Sequence, residues 1–325
     1  MGTLMKKYKF INIAKNTLQA EINSLKKLKS KFPNSFGKAV EAILDCKGKV
    51  VVTGVGKSGT IGAKISSTLA SVGTPSFFID ANSCSHGNLG MVDNKDCIII
   101  ISLSGMSVEL KDIIQYANRR KIKLIGIVSK RNSLLYKASD IKILLPDVVE
   151  ADPNKIVPTS STIVQLAIGD ALAIATMKHK KFSKLDFKKF HPGGSLAIQL
   201  KTVEDLMLIG KKIPFINENT KMKKALKILE EKKLGVLIVV NKKKQTTGII
   251  TDGDIKRSIQ KNVNLHMLIV KKIMTKKPIC IDKNMLAAKA LGIMNEKKIT
   301  SLCVNNKKKT IGLLHIHNIL ASGIK

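Results

Sequence analysis

Tryptophan is absent from this 325-residue sequence, and aromatic residues make up only 4% of it. Arginine is almost missing as well: Arg119, Arg120, Arg131 and Arg257 are the only arginines among 57 basic residues. These two shortages decide how the formal charge of +34 is read. Nucleic-acid surfaces use arginine for bidentate contacts and aromatic rings for stacking, so a chain poor in both is not expected to have a nucleic-acid partner. A charge-driven, salt-sensitive association with nucleic acid is the competing reading.

Cysteine is also sparse. Cys46, Cys84, Cys97, Cys280 and Cys303 are odd in number and contain no CxxC pair. That excludes a disulfide framework and a cysteine zinc site, and fits a reduced, cytoplasmic protein. No run approaches 18 apolar residues free of charge, so neither a membrane span nor a membrane partner is expected. The opening MGTLMKKYKFINIAKNT lacks the continuous apolar core of a secretory signal.

What is present is globular, with 44% hydrophobic and 25% charged residues, in a length suited to two or three domains. Ile11, Ala14, Leu18, Ile22, Leu25 and Leu28 recur at spacings of three and four, which predicts an amphipathic helix over residues 11–30. Packing into the domain's own core is its plainer reading, and docking on a partner the other. From Lys49 onward short apolar runs alternate with helical stretches. Runs 49–53, 76–79, 96–101, 123–128 and 141–145 read as buried strands, with helices between them such as 61–72 and 108–119. This alternation predicts a doubly wound, five-stranded parallel sheet in an α/β domain over residues 1–200. A long apolar helix follows at 159–177.

A repeat occupies the remainder. Asp205-Leu206-Met207 echoes Lys272-Ile273-Met274, and Gly248-Ile249-Ile250 echoes Gly312-Leu313-Leu314. Each half reads helix, strand, basic turn, strand, helix, which predicts two α+β modules at 201–262 and 263–325.

Ligands of open parallel sheets bind beyond the carboxyl ends of the strands, so the loops there hold the candidates. Gly54-Val55-Gly56-Lys57-Ser58-Gly59 is a glycine-rich turn opening a helix, a place where backbone N–H groups face an anion; it lacks the spacing of the known nucleotide loops. Ser102-Leu103-Ser104-Gly105-Met106-Ser107 crowds hydroxyls into one loop, suited to a phosphate, and Ser107 also reads as a helix cap. Glu109, Glu150, His86 and His191 are further loop candidates. His315 and His317 read as strand neighbours on one face, and look structural.

The set GVGKSG, GTPSFFID, SHGNLGM, ISLSGMSVE, PTSST, GDALAIA and FHPGGSL resembles the D-arabinose 5-phosphate isomerases, in which a sugar isomerase (SIS) domain precedes two cystathionine-β-synthase (CBS) modules. The resemblance implies that Lys57, Glu109, Glu150 and His191 are catalytic. It places Ser58, Ser102, Leu103, Ser104, Ser107, Thr159 and Ser160 around the substrate, with Gly73, Thr74 and His86 near the sugar. It implies interconversion of arabinose 5-phosphate and ribulose 5-phosphate through a cis-enediol, supply of Kdo for lipopolysaccharide, no required cofactor, a regulatory nucleotide or nucleotide-sugar at the CBS pair, and a homotetramer.

The sequence departs from the family at Thr60, Met106, Ala197 and Asn318, and at Asp80, where relatives offer a histidine able to bind zinc; no metal is therefore expected. For the base at carbon 2, Glu150 and Glu109 are equal candidates, given a pKa raised by burial. His191 is assigned to ring opening or carbonyl protonation, and Lys57 to the enediolate charge. The competing functions are another SIS-fold isomerase and a non-catalytic sugar-phosphate sensor.

Overall fold

The computed structural model describes residues 2–191, 193–260 and 264–324, and divides into two compact units, Met1–Phe190 and His191–Lys325. The first unit runs α1 (Gly2–Ser30), α2 (Phe36–Asp45), β1 (Val50–Gly54), α3 (Lys57–Ser71), β2 (Ser76–Phe78), α4 (Ala81–Cys84), β3 (Cys97–Ile101), α5 (Lys111–Arg120), β4 (Lys123–Val128), α6 (Leu134–Ala138), β5 (Ile141–Leu144), α7 (Ser160–His179) and α8 (Lys184–Phe190). Its five strands are all parallel, in the order β2-β1-β3-β4-β5.

Strand alternation assigns side chains to two cores. Val50, Val52, Ile99, Ile101 and Ile127 face α2, α3 and α7. Val51, Ile98, Ile100, Leu124 and Val128 face α4, α5 and α6. With both faces covered, the strands need no polar side, which is why they read as unbroken apolar runs. The order has one consequence for function. From β1 the chain winds outward to β2, and from β3 outward to β4 and β5. The reversal between β1 and β3 opens a crevice at their carboxyl ends.

Three expectations need correction. The helix anticipated from residue 11 begins at Gly2, and it is not a core helix over most of its length. Among its described side chains only Leu28 and Ser24 are buried, while Phe10, Ile11, Ile13, Leu18 and Ile22 are exposed. The burial falls in its last turns, where Leu28 joins the core beside Val164, Ile168 and Leu172 of α7. The helix anticipated at 108–119 is split: Val108–Leu110 forms a tight 3-10 turn before α5. Finally, α7 is long and apolar enough to cross a membrane by length and composition, which the sequence reading denied to every segment. Its apolarity has another cause, since Val164, Ile168, Leu172 and Ala173 are buried against the sheet and α3.

The second unit continues with α9 (Gly194–Gln199), α10 (Val203–Leu206), β6 (Phe215–Asn217), α11 (Met222–Lys232), β7 (Val236–Val240), β8 (Thr246–Thr251), α12 (Asp252–Gln260), α13 (Val270–Ile273), β9 (Thr275–Lys276), β10 (Cys280–Ile281), α14 (Ala287–Lys297), β11 (Ser301–Asn306), β12 (Lys309–His315) and α15 (Ile316–Ala321). The repeat predicted helix, strand, turn, strand, helix in each half, and α11-β7-β8-α12 and α14-β11-β12-α15 realise it. The sheets are β6-β7-β8-β9 and β10-β11-β12.

The repeat conceals an exchange. The segment leading into the first module bridges to the second, Leu208 pairing with Leu313 on β12. The segment leading into the second module pairs with the first, β9 lying against β8. Each echoed methionine packs accordingly: Met207 over Gly312 and Met274 over Gly248. A small shared core of Ile213, Val236, Ile238, Cys303 and Leu313 joins the two modules. His315 and His317 are not strand neighbours. His315 ends β12 and caps α15, accepting from the His317 backbone N–H at 3.2 Å.

Candidate active site

The loops after β1 and β3 flank the crevice. In the first, Gly56 takes φ +58°, and a Cβ on Gly59 would stand 2.6 Å from the Gly54 carbonyl oxygen. Any larger residue would push the helix away from the strand, so the glycines bring the start of α3 to the mouth of the sheet. Lys57 and Ser58 are the first residues of that helix, Lys57 exposed and Ser58 half-buried. A helix N-terminus and an ammonium thus share one place, a combination that attracts a phosphate.

In the second loop Ser102 is buried and its Oγ accepts from the Gly105 N–H at 3.0 Å, while Ser104 Oγ accepts from the Met106 N–H at 3.3 Å. Gly105 has φ +65° and leaves no room for a Cβ against Ser133. The hydroxyls fold the loop on itself and stand close to the crevice with Leu103. Ser107 does not cap by its side chain. Glu109 is exposed on the 3-10 turn that follows. His86 is exposed in the loop beyond β2 and α4, on the same edge of the sheet.

Glu150 lies between β5 and α7, and its surroundings differ from the expectation. Its Oε2 accepts from the Thr159 N–H at 2.8 Å, the Thr159 hydroxyl at 3.1 Å and the Ser161 N–H at 3.2 Å. Burial pushes its pKa up, but the bonds from Ser161 and Thr159 together outweigh burial, and the carboxyl is held below its usual range. The raised pKa anticipated for a carbon-2 base is absent from this glutamate. Thr159 stands at the N-cap position of α7 without capping by its side chain, and the carboxylate nine residues upstream does the capping. Thr159 Oγ1 instead accepts from the Ala151 N–H at 2.9 Å, which ties the Glu150 segment to the helix. Ser160 is fully buried in the first turn.

The fold does not bring every anticipated residue to this edge. Gly73 and Thr74 close the return from α3 to β2, at the amino edge of the sheet, where the Val50 N–H bonds the Pro75 carbonyl. A right-handed strand-helix-strand unit must place that return at the end opposite its strand-to-helix loop. Their partner is Lys180, whose Nζ donates to Gly73 O at 3.2 Å and Thr74 Oγ1 at 3.0 Å. Asp80 caps α4, accepting from the Asn82 N–H at 2.8 Å. Among the described residues no cluster of three or more His, Cys, Asp or Glu could hold a metal. His191 is the first residue of the second unit, and Pro192 beside it lies outside the described residues.

Sequence reasoning missed Ser161 and Gln165. Ser161 bonds the Glu150 carboxylate through its hydroxyl as well as through its backbone N–H. Gln165 is 1% exposed with neither amide atom bonded among the described residues, within a mostly apolar helix. One amide in that apolar stretch was the available signal.

Sequence comparison agrees with the architecture. Residues 43–175 match the SIS domain family, and residues 203–261 and 270–324 match the CBS domain family. Fold and loops together define an SIS-domain protein carrying a CBS pair. Arabinose 5-phosphate isomerase KdsD of Yersinia pestis is 38% identical over 316 residues, covering 97% of this chain and 96% of that protein. KdsD of Escherichia coli strain K12 is 37% identical over 318 residues, covering 98% and 97%. The uncharacterized protein RP505 of Rickettsia prowazekii is 35% identical over 312 residues, covering 96% and 97%. A structure from E. coli CFT073, solved in complex with arabinose 5-phosphate, is 34% identical with a TM-score of 0.56, covering 57% of this chain and 98% of that one. The chain belongs to the KdsD family of sugar-phosphate isomerases.

Proposed function

We propose that the chain interconverts D-arabinose 5-phosphate and D-ribulose 5-phosphate, and that it supplies Kdo synthesis for lipopolysaccharide in a bacterial cytoplasm. One observation carries the reading. The α3 N-terminus with Lys57 and Ser58, the hydroxyl loop 102–107 and the ionised Glu150 all stand at the carboxyl edge of one parallel sheet. This arrangement suits a phosphate at one end of a short sugar and a carboxylate base at the other.

In this reading the phosphate sits among Ser58, Ser102, Leu103, Ser104 and Ser107. Glu150 or Glu109 takes the proton from carbon 2 and returns it to carbon 1 through a cis-enediol. The other glutamate moves the hydroxyl protons, Lys57 offsets the enediolate charge, and His191 opens the ring or protonates the carbonyl oxygen. Thr159 orients Glu150, and His86 borders the sugar. No cofactor or metal takes part.

The exposed apolar side chains of α1 favour a homo-oligomer, a tetramer by analogy with the family. The cavity of the CBS pair carries Arg257, Lys277 and Lys298, which suits an anionic regulatory nucleotide or nucleotide-sugar. The deciding test is turnover of ribulose 5-phosphate, with fructose 6-phosphate as the alternative substrate and chelator in parallel. Ribulose 5-phosphate turnover that chelator leaves unchanged is the expected result. Turnover of the hexose alone makes the protein another SIS isomerase, and binding without turnover makes it a sensor.

A further inference from the structure

We propose that Cys280 and Cys303 are a hydroperoxide-reactive dithiol that closes to a reversible disulfide between β10 and β11. The two residues are direct partners in a parallel pair, Cys280 opposite Cys303 and Ile281 opposite Val304. Partners in a parallel pair point to the same side of the sheet. Neighbouring strands lie about 4.8 Å apart, within the Cα separation of roughly 4.4–6.8 Å that a disulfide spans. The link therefore asks for no rearrangement of the backbone.

The two thiols divide the work. Cys280 is exposed at the sheet edge, whereas Cys303 is 2% exposed. Cys280 Sγ accepts a hydrogen bond from Asn305 Nδ2 at 3.0 Å, and Asn305 is in turn fixed by the Thr310 hydroxyl at 2.7 Å. The Cys303 thiol also bonds Cys280 and is the largest influence on it, lowering its pKa to about 7 against the effect of burial. The same bond, followed by burial, raises Cys303. The other three cysteines go the opposite way. Burial lifts Cys84 to about 11 and Cys97 to about 12, and it raises Cys46 as well. One exposed thiol with a lowered pKa thus stands beside a buried thiol, and burial makes the remaining thiols poorer nucleophiles.

The chemistry balances with one hydroperoxide. The Cys280 thiolate attacks the distal peroxide oxygen, the O–O bond breaks, and the alkoxide or hydroxide leaves with a proton from solvent. Cys280 is now a sulfenic acid. The Cys303 sulfur attacks it, the S–O bond breaks, and the Cys303 proton leaves with the hydroxyl as water. The peroxide is reduced by two electrons and the two thiols are oxidised by two. The product fastens β10, an edge strand of two residues, to β11. Cys303 also lines the cavity of about 440 Å³ in the second unit, together with Lys277, Pro278 and Ile279 from the chain leading into β10. Oxidation therefore fixes one wall of that cavity.

The test treats the full-length protein with one equivalent of hydrogen peroxide and counts thiols after denaturation. The count should fall from five to three, peptide mapping should join Cys280 to Cys303, and dithiothreitol should restore five. In Cys303→Ser the reaction should stop at a sulfenic acid trapped by dimedone on Cys280. Cys280→Ser should keep its four thiols under the same treatment. Five thiols remaining in the wild type, a cross-link joining other cysteines, or a stable dimedone adduct on wild-type Cys280 would each overturn the proposal. None of these readouts depends on isomerase activity.

Discussion

Glu150 shows why a residue's type predicts its presence at a site better than its chemistry. Its position after the fifth strand was legible, because the strands were visible as apolar runs. Its hydrogen bonds were not, because they come from a helix start nine residues away. Those bonds make it an N-cap carboxylate as well as a candidate base. Glu150→Gln should therefore lower turnover by about 10²-fold or more if it is the base, and should also destabilise the protein by ~1 kcal/mol through loss of the cap charge. Paired kinetics and denaturant melts separate the two effects. The pH dependence has a fixed sign. A carboxyl held below its usual range is ionised above that lowered pKa, and both its stabilising contribution and its action as a base are lost as pH falls through it. The acid limb of kcat/KM should lie below that of an ordinary glutamate near 4.5. Ser161→Ala, which removes one of the bonds, should move that limb upward. An unmoved limb in Ser161→Ala alongside an inactive Glu109→Gln would assign the base to Glu109.

The elements were legible where burial alone decides them and less so where a partner far along the chain decides. All five parallel strands follow from unbroken apolar runs, and α3 begins at the lysine of its glycine-rich turn. The exchange between the CBS modules was hidden, since a repeat reports what is alike in two halves and not which half each piece packs against. Gly248 and Gly312 record that exchange. A Cβ on Gly248 would stand 2.7 Å from the Thr275 carbonyl oxygen of β9 and 2.8 Å from Met274 Sδ. The backbone there is held by the β8–β9 pairing and cannot retreat cheaply. Gly248→Ala should cost about 1–3 kcal/mol by overpacking. Met274→Ala in the same chain should relieve only part of that cost, because the carbonyl stays in place. Chemical denaturation of both variants, followed by a probe in the second unit, checks this.

At the scale of the whole molecule the charge of +34 was the most visible feature and the least informative about function. The structure shows where part of it goes. Every non-glycine residue with positive φ among those described is a lysine: Lys121, Lys155, Lys181, Lys233, Lys244, Lys277, Lys298 and Lys307. Lys121, Lys233 and Lys298 end α5, α11 and α14 in the left-handed conformation that usually falls to glycine. A lysine there completes the carbonyl end of the helix with a cation but keeps the cost of a Cβ at positive φ. Lys233→Gly should accordingly stabilise the second unit by ~0.5–1 kcal/mol, read as a rise in its melting temperature. These lysines are dispersed over turns and helix ends. Their shared effect is a diffuse positive field. That field should draw in dianionic sugar phosphates and fade with ionic strength, since screening shortens its reach to about 8 Å at 0.15 M salt. On raising salt from 10 to 300 mM, kcat/KM should fall by roughly 2–5-fold while kcat stays level. Over the same range, binding to duplex DNA should vanish by roughly 150 mM without any sequence preference. A duplex complex that survives higher salt, or one that prefers a sequence, would return the charge to the place it first claimed as the chain's leading functional feature.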